Sequence, residues 1–351
     1  MKNKLLSGAI ALLSAAVASQ ALSDPCWTVT IANHAGTISY DGWTLTFAGE
    51  NNGGIIINSD NDNTLAGDGG VLDLSLPMRD GNGNEYYVRA INQNAFRPGN
   101  SYNPSLDVSK LKELRLGDRI VSIAMNAFNG CTSLTNVVPF IPDSVTVLGK
   151  NAFYRCPISC KLTVRSVETI PEAAFYSTAF GEAELPGVTN IDYRAFYGNG
   201  AISNVVFSAE RVGFASSSSD NGYGNACFCH ATETARFYFP GKAPYLPQND
   251  ADGSGQGHTG TFNLFGQNVS DRAIYGSWKV DPDGWNEILS QVGKPRSEIS
   301  GTFPGQDESV RRVVGKLFYW QNKSQGTSNS AWLIDWRSPL DPQTGMMMIV
   351  R

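Results

Sequence analysis

The sequence predicts a β-rich solenoid, in which repeat coils stack on a parallel sheet and a small β-rich cap lies at each end. A nine-residue pattern recurs along the chain, and short segments with alternating apolar residues stand close to its copies. The composition is also rich in Gly and Asn, which favours turns and short strands over long helices. A chain of 351 residues can bury a large core, as one elongated unit or as two compact domains.

Residues 1–23 are predicted to be a secretory signal peptide. Lys2 and Lys4 precede a continuous apolar run, and small residues follow it, so we expect cleavage after Ala21 or Ser23. A membrane anchor is the alternative, but the run spans only the 14 residues 5–18, which is short for a membrane helix. The chain is therefore expected to be secreted or to lie at the cell surface, with no membrane span after the signal is removed.

Residues 24–70 are predicted to form a small β-rich N-terminal cap. The strand-like runs "GTISYDGWTLTF" and "GIIIN" stand between turn-rich segments. They lead into "VLDLSLP", which we expect to be the first strand of the stacked sheet.

The repeat pattern is [VI]-x-x-[IL]-x-x-x-A-F, and it occurs five times. Its copies end at Phe96, Phe128, Phe153, Phe175 and Phe196, with spacings of 32, 25, 22 and 21 residues. One such coil cannot bury its apolar side alone, so coils stack and cover one another. The rings are expected to form a buried column, and the preceding alanines indicate that neighbouring coils approach closely.

A second set of short segments alternates apolar and polar residues, which is typical of half-buried strands. These segments are "ELRLG", "KLTVR", "EAELP", "NVVFS" and "RFYFP". Stacked in parallel, they should turn one row of side chains toward solvent: Arg115, Thr163, Glu184, Val206 and Tyr238. Phe140 joins this row if "PFI" is the strand of the third coil.

The string "IVSIAMNAFNGCTSLTNVVPFIPDSVTVLGKNAFYRC" resembles the BspA-type leucine-rich repeat, a family of bacterial surface proteins. The resemblance extends over about residues 71–290, where the last coils are degenerate, as terminal repeats often are. It implies leucine-rich-repeat coils in an exported, curved protein of the kind implicated in adhesion, and it does not imply catalysis.

Residues 291–351 begin polar and then become aromatic and apolar in "LFYW", "AWLIDW" and "GMMMIV". Three apolar strand candidates separated by turns predict a small β-rich C-terminal region. It either covers the end of the coils or forms a separate domain.

The cysteines allow two interpretations. Cys131 and Cys156 each lie three residues after a repeat phenylalanine and should occupy equivalent places on adjacent coils. Buried thiols are favoured over a disulfide between coils, which export would permit. Cys227, Cys229 and His230 lack the second ligand pair that a zinc site needs, so no metal is expected there.

No catalytic motif accompanies the three histidines, and we expect no catalytic residue, cofactor or metal, and hence no enzyme. The net charge of −5 gives no basic surface for nucleic acid.

The sequence favours an exported binding module that recognises a protein or glycan surface through the solvent-facing row. The first alternative is a structural surface protein in which the repeats are spacers. A less favoured alternative is an accessory repeat attached to a small catalytic region in residues 291–351.

Overall fold

The computed structural model describes residues 24–58, 64–65, 70–99, 107–215, 227–228, 230–232, 234–245, 273–276, 280–285, 312–322 and 326–335. The expected signal peptide lies outside these ranges, as do Cys229 and the "GMMMIV" segment. The regular elements of the described part are β-strands, apart from a 3-10 turn at Val108–Lys110 and a short helical segment at 282–285.

The described N-terminal strands, in chain order, are β1 (Trp27–Ala32), β2 (Ala35–Tyr40), β3 (Trp43–Asn51), β4 (Gly54–Ile57), β5 (Thr64–Leu65), β6 (Val71–Asp73), β7 (Met78–Asp80) and β8 (Glu85–Ile91). All of them except β5 and β6 form a closed ring. Strands β1 to β4 pair in sequence, β4 pairs with β8, β8 with β7, and β7 returns to β1. The ring surrounds buried apolar side chains that include Trp27, Ile38 and Leu45.

Three tight turns join the first four strands, and each is specified by its residues. Asn33-His34, Asp41-Gly42 and Asn52-Gly53 occupy the two central positions, and all six residues have positive φ. This conformation matches the twist of an antiparallel hairpin and favours Asn, Asp and Gly.

Beyond the ring, each coil contributes strands to two parallel ladders. The main ladder contains β6, β9 (Glu113–Arg115), β11 (Asn136–Val138), β13 (Leu162–Thr163), β15 (Glu182–Glu184), β17 (Asn204–Val206), β19 (Arg236–Phe239) and β20 (Ala273–Gly276). The second ladder contains β8, β10 (Ser122–Ile123), β12 (Val147–Leu148), β14 (Thr169–Ile170), β16 (Asn190–Ile191) and β18 (Gly213–Phe214). The strands predicted from the alternating segments, including "VLD" as the first of them, are confirmed.

The main ladder is hydrogen-bonded in two stretches, β6 to β11 and β13 to β20. Between them the backbone N–H of Ser159 donates to the carbonyl of Thr135 at 3.0 Å, and the thiol of Cys160 donates to the carbonyl of Val137 at 3.4 Å. The coils therefore stay in contact across the irregular segment.

Two C-terminal strands follow. Strands β21 (Arg312–Asn322) and β22 (Gly326–Asp335) form an antiparallel hairpin, and β22 pairs in parallel with β20. The segments "LFYW" and "AWLID" lie in this hairpin.

The repeat phenylalanines form the predicted buried column. Centroid distances between successive rings are 4.9 Å for Phe96–Phe128, 5.3 Å for Phe128–Phe153, 5.9 Å for Phe153–Phe175 and 5.5 Å for Phe175–Phe196. Adjacent ring planes differ by no more than 19°. The column continues to Phe228, 4.9 Å from Phe196, so Cys227-Phe228 stands where the other coils have Ala-Phe.

The Ala-Phe pair also carries a line of backbone hydrogen bonds along the stack. The N–H of Phe128 donates to the carbonyl of Ala152 at 2.8 Å, and the N–H of Phe153 donates to Ala174 at 2.9 Å. Every repeat alanine has no exposed surface. The small side chain thus permits the approach that the backbone bonds require.

Replacing Phe153 by Ala should lower the free energy of unfolding by about 3–5 kcal/mol, because the ring is fully buried between two others. Denaturant titration followed by circular dichroism measures the change. Val147→Ala is the control, since Val147 is 55% exposed. A loss under about 1 kcal/mol for Phe153→Ala would contradict the buried column.

Candidate binding surface

Strand register places a line of side chains along the outside of the main ladder. Thr163, Glu184, Val206 and Tyr238 are paired one after another in strands β13 to β19. In the earlier stretch Asp73, Arg115 and Val138 are paired in the same way. We call these seven residues the outward row.

Exposure varies along the outward row. Arg115 and Val138 are exposed, and Val138 keeps 48% of its surface accessible to solvent. Thr163, Glu184 and Val206 are half-buried. Tyr238 is only 9% exposed, although the alternation placed it on the solvent side.

The placement of Phe140 in this row was wrong. Strand β11 ends at Val138, so Val138 and not Phe140 pairs with Arg115. Phe140 is 5% exposed and turns into the core, where its ring lies edge-on to Phe153, Phe175 and Phe180 at 5.5–5.9 Å. An aromatic side chain packed edge-on against three rings loses most of its contact with water, and burial decides its position.

Ion pairs fix the charged members of the row. The guanidinium of Arg115 lies 2.6 Å from the carboxylate of Glu113 and 3.3 Å from that of Asp73. Hydrogen bonds from Arg115 and Asn136 hold the pKa of Glu113 below its usual value. Farther along, the ammonium of Lys161 lies 2.6 Å from the carboxylate of Glu184. The row therefore presents paired charges around the exposed Val138.

Cys26, Cys131, Cys156 and Cys160 are free thiols. Cys131 and Cys156 are fully buried, and each thiol donates to a phenylalanine carbonyl of the preceding coil, Cys131 to Phe96 at 3.3 Å and Cys156 to Phe128 at 3.0 Å. Burial raises the pKa of Cys131 well above its usual value. Both thiols act as small core side chains that satisfy a backbone acceptor, and Cys227 occupies a repeat alanine position.

Within the described residues, no group of three or more His, Cys, Asp and Glu side chains could hold a metal ion. In the same part of the chain, no helix is long and apolar enough to cross a membrane.

The short parallel strands and the buried column show that the central part of the chain is built from repeated coils. Residues 102–219 match the BspA type leucine rich repeat region in six copies, so this segment carries that repeat, and the resemblance is confirmed there. A comparison with curated proteins found no match.

Among solved structures, a leucine rich cell surface protein from Faecalibacterium prausnitzii A2-165 is similar, with 19% sequence identity and a TM-score of 0.29. The similarity covers 48% of this chain and 54% of that chain. At this TM-score no residue of this chain is equated with a residue of that protein.

Away from the outward row, Asp192 has an unfavourable position for its charge. Partial burial and the nearby charge of Glu172 raise the pKa of the Asp192 carboxyl from its usual 3.8. The folded state therefore binds the proton more tightly than the unfolded state does. Stability from this group falls as pH rises from the usual pKa through the raised pKa.

Asp192→Asn should therefore raise the thermal midpoint relative to the parent protein at about pH 7. The difference should vanish at about pH 3, where the carboxyl is protonated in both states. Differential scanning calorimetry at the two pH values tests this. Asp143→Asn, at a 67% exposed side chain, is the control. An equal gain at both pH values would show that the charge of Asp192 is not the cause.

Proposed function

We propose that the chain is an exported, non-enzymatic binding protein, whose coils form a curved leucine-rich-repeat solenoid and whose outward row recognises a protein or glycan surface. The main support for this proposal is the strand register of the main ladder, which holds side chains of different chemistry in one line. Repeat proteins present such extended surfaces because each coil adds the same small displacement.

The length of the row supports contact at several points. Neighbouring parallel strands lie about 4.8 Å apart, so the coils from β6 to β19 offer a strip on the order of 29 Å. The side chains stand on hydrogen-bonded strands, and little conformational entropy is lost when a partner binds them.

The chemistry of the row also supports recognition. Exposed Val138 lies beside Arg115, which its two carboxylate partners hold in place. An apolar centre with an ordered arginine next to it is typical of the parts of interfaces that contribute most binding energy.

A triple variant tests the outward row: Arg115→Glu, Val138→Glu and Glu184→Lys. The parent protein is first screened by biolayer interferometry against a panel of extracellular proteins and glycans, and the variant is then measured against each ligand that binds. We expect binding at least tenfold weaker, because the variant reverses two charges and buries a new one against the partner.

The matched control makes the same types of change outside the row: Arg165→Glu, Val147→Glu and Asp143→Lys. These side chains are exposed, and Arg165 and Asp143 form an ion pair at 3.6 Å whose charges the control exchanges. The control is expected to keep the thermal midpoint of the parent. The row variant should have a lower one, because Arg115→Glu sets a third carboxylate beside Glu113 and Asp73, so its binding is measured well below that midpoint. If the folded row variant binds as the parent does, recognition does not occur at the outward row.

Export has its own test. Protein recovered from outside the cells should begin at residue 22 or 24, because cleavage is expected after Ala21 or Ser23. Edman sequencing of the recovered protein reads this terminus directly. Recovery of the protein with Met1 still present would contradict a cleaved signal.

A further inference from the structure

A ladder of tyrosine side chains runs along the coils at the residue that follows the repeat phenylalanine. Ring centroids lie 4.5 Å apart for Tyr154–Tyr176 and 5.0 Å apart for Tyr176–Tyr197, with interplanar angles of 23° and 21°. His230 continues the ladder, edge-on to Tyr197 at 4.5 Å. The three tyrosines are half-buried and His230 is exposed.

Two arginines accompany these tyrosines. The guanidinium of Arg155 lies over the ring of Tyr154, 5.3 Å from its centroid. That of Arg194 lies 5.3 Å from the centroid of Tyr197 and 4.6 Å from that of Tyr193. Cation–π contacts of this kind orient a guanidinium, and Arg155 is exposed to solvent. We call Tyr154, Tyr176, Tyr197, Arg155 and Arg194 the tyrosine–arginine ladder.

The phenols and guanidiniums of the ladder influence one another. Burial raises the pKa of Tyr176, and the phenols of Tyr154 and Tyr197 raise it further, while Arg194 and Arg155 oppose the rise. At neutral pH the hydroxyl of Tyr176 therefore remains protonated and able to donate. The stacking distances of 4.5 Å and 5.0 Å place the three phenol rings on the same side of the coils.

The two arginines lie at different places in their coils. Arg155 follows its repeat phenylalanine by two residues and Arg194 precedes its own by two, and both have positive φ, 59° and 54°. Positive φ recurs at these places in other coils, at Gly130, Asn126 and Ala173, so it is a feature of the coil backbone. The coil geometry thus fixes where both arginine side chains begin.

The stacking limits which ligand can bind. Neighbouring tyrosine rings cover one another's faces, so the ladder offers no flat aromatic platform. It presents ring edges, hydroxyl donors and guanidiniums, all of which favour anionic acceptors. Glu172, the acid whose charge reaches Asp192, forms an ion pair at 2.7 Å with Lys150, which partly neutralises its own charge.

The spacing favours a polysaccharide over a peptide. Side chains on one face of an extended peptide repeat at about 6.6–6.8 Å, twice the rise per residue. The ladder repeats at 4.5–5.0 Å, so a peptide lying along it loses register within a few coils. In a flexible polysaccharide with an acidic group on successive sugar rings, the distance between acidic groups can adjust to the spacing of the ladder.

We propose that the tyrosine–arginine ladder binds an anionic polysaccharide, whose carboxylate or sulfate groups accept hydrogen bonds from the tyrosine hydroxyls and the guanidiniums. The ladder and the outward row share no residue, so the proposal does not depend on the function assigned to that row.

Isothermal titration of the full chain with defined polymers tests the proposal. Polygalacturonate supplies carboxylates and dextran sulfate supplies sulfates. Dextran is the neutral control, and poly-glutamate is the acidic peptide. We expect at least one of the two anionic polysaccharides to bind, with affinity that falls as salt rises, and at least tenfold weaker binding of dextran and poly-glutamate.

The variants locate the site. Replacing Tyr154, Tyr176 and Tyr197 together by Phe keeps the stacked rings and removes the hydroxyls, and it should weaken polysaccharide binding at least tenfold. Arg155→Gln should also weaken binding, and because its side chain is exposed it tests the site even if the triple variant does not fold. Arg165→Gln removes the same charge elsewhere and should leave affinity unchanged.

Three results would overturn the proposal. The first is that neither anionic polysaccharide binds. The second is that poly-glutamate or dextran binds as tightly as they do. The third is that folded Arg155→Gln or triple tyrosine variants bind like the parent protein. The outward-row variant should keep its polysaccharide affinity, so failure at one surface is distinguishable from failure at the other.

Discussion

The close axial contact at the Ala-Phe pair is the constraint on which the rest of the coil region depends. Backbone bonds of 2.7–2.9 Å from Phe96, Phe128, Phe153 and Phe175 reach the alanine carbonyl of the next coil. They set the translation from one coil to the next, and the rings stack at 4.9–5.9 Å because they follow it. At the five repeat alanines, a much larger side chain would force the coils apart and break these bonds, whereas the small thiol of Cys227 fits before Phe228. The outward row and the tyrosine–arginine ladder therefore repeat with the same translation from coil to coil.

The number of residues per coil varies by several, but the Ala-Phe contact between neighbouring coils stays constant. The local backbone conformation accommodates the variation in length. The residue two before the ring has positive φ in five successive coils, where Asn94, Asn126 and Asn151 are followed by Ala173 and Arg194. Asn stabilises this conformation, and in the third coil its side chain also bonds across the stack, from Asn151 to Asn126 at 3.1 Å. Glycine allows neighbouring coils to approach where their backbones touch, because a Cβ on Gly149 would collide with the backbone nitrogen of Met125.

Much of the coil region could be predicted because its signals are local. The spacing of the rings predicted the buried column, and the period-two alternation predicted the strands of the main ladder. The second ladder was not predicted, because most of its strands are only two residues long and carry no alternation of their own. Phe140 was misplaced because "VVPFI" fits more than one register, and packing against rings from other coils decides between them. The sixth ring went unnoticed because Cys227 replaces the alanine of the pattern. The closed ring rests on pairing between β1 and β7, about fifty residues apart, for which a sequence gives no local signal.

The outward row and the tyrosine–arginine ladder repeat with the same translation from coil to coil, but they carry different patterns of side chains. This difference bears on what each surface can recognise. Along the outward row the chemistry changes at almost every coil, from carboxylate and guanidinium to valine, threonine, glutamate and valine again. Such a row can match only a partner with a corresponding order of groups, which is the condition for specificity. Along the ladder a tyrosine recurs in three successive coils at nearly constant spacing. A repeating surface matches a repeating ligand in several registers, so each register adds to the bound population, and affinity for a polymer grows with the number of coils engaged.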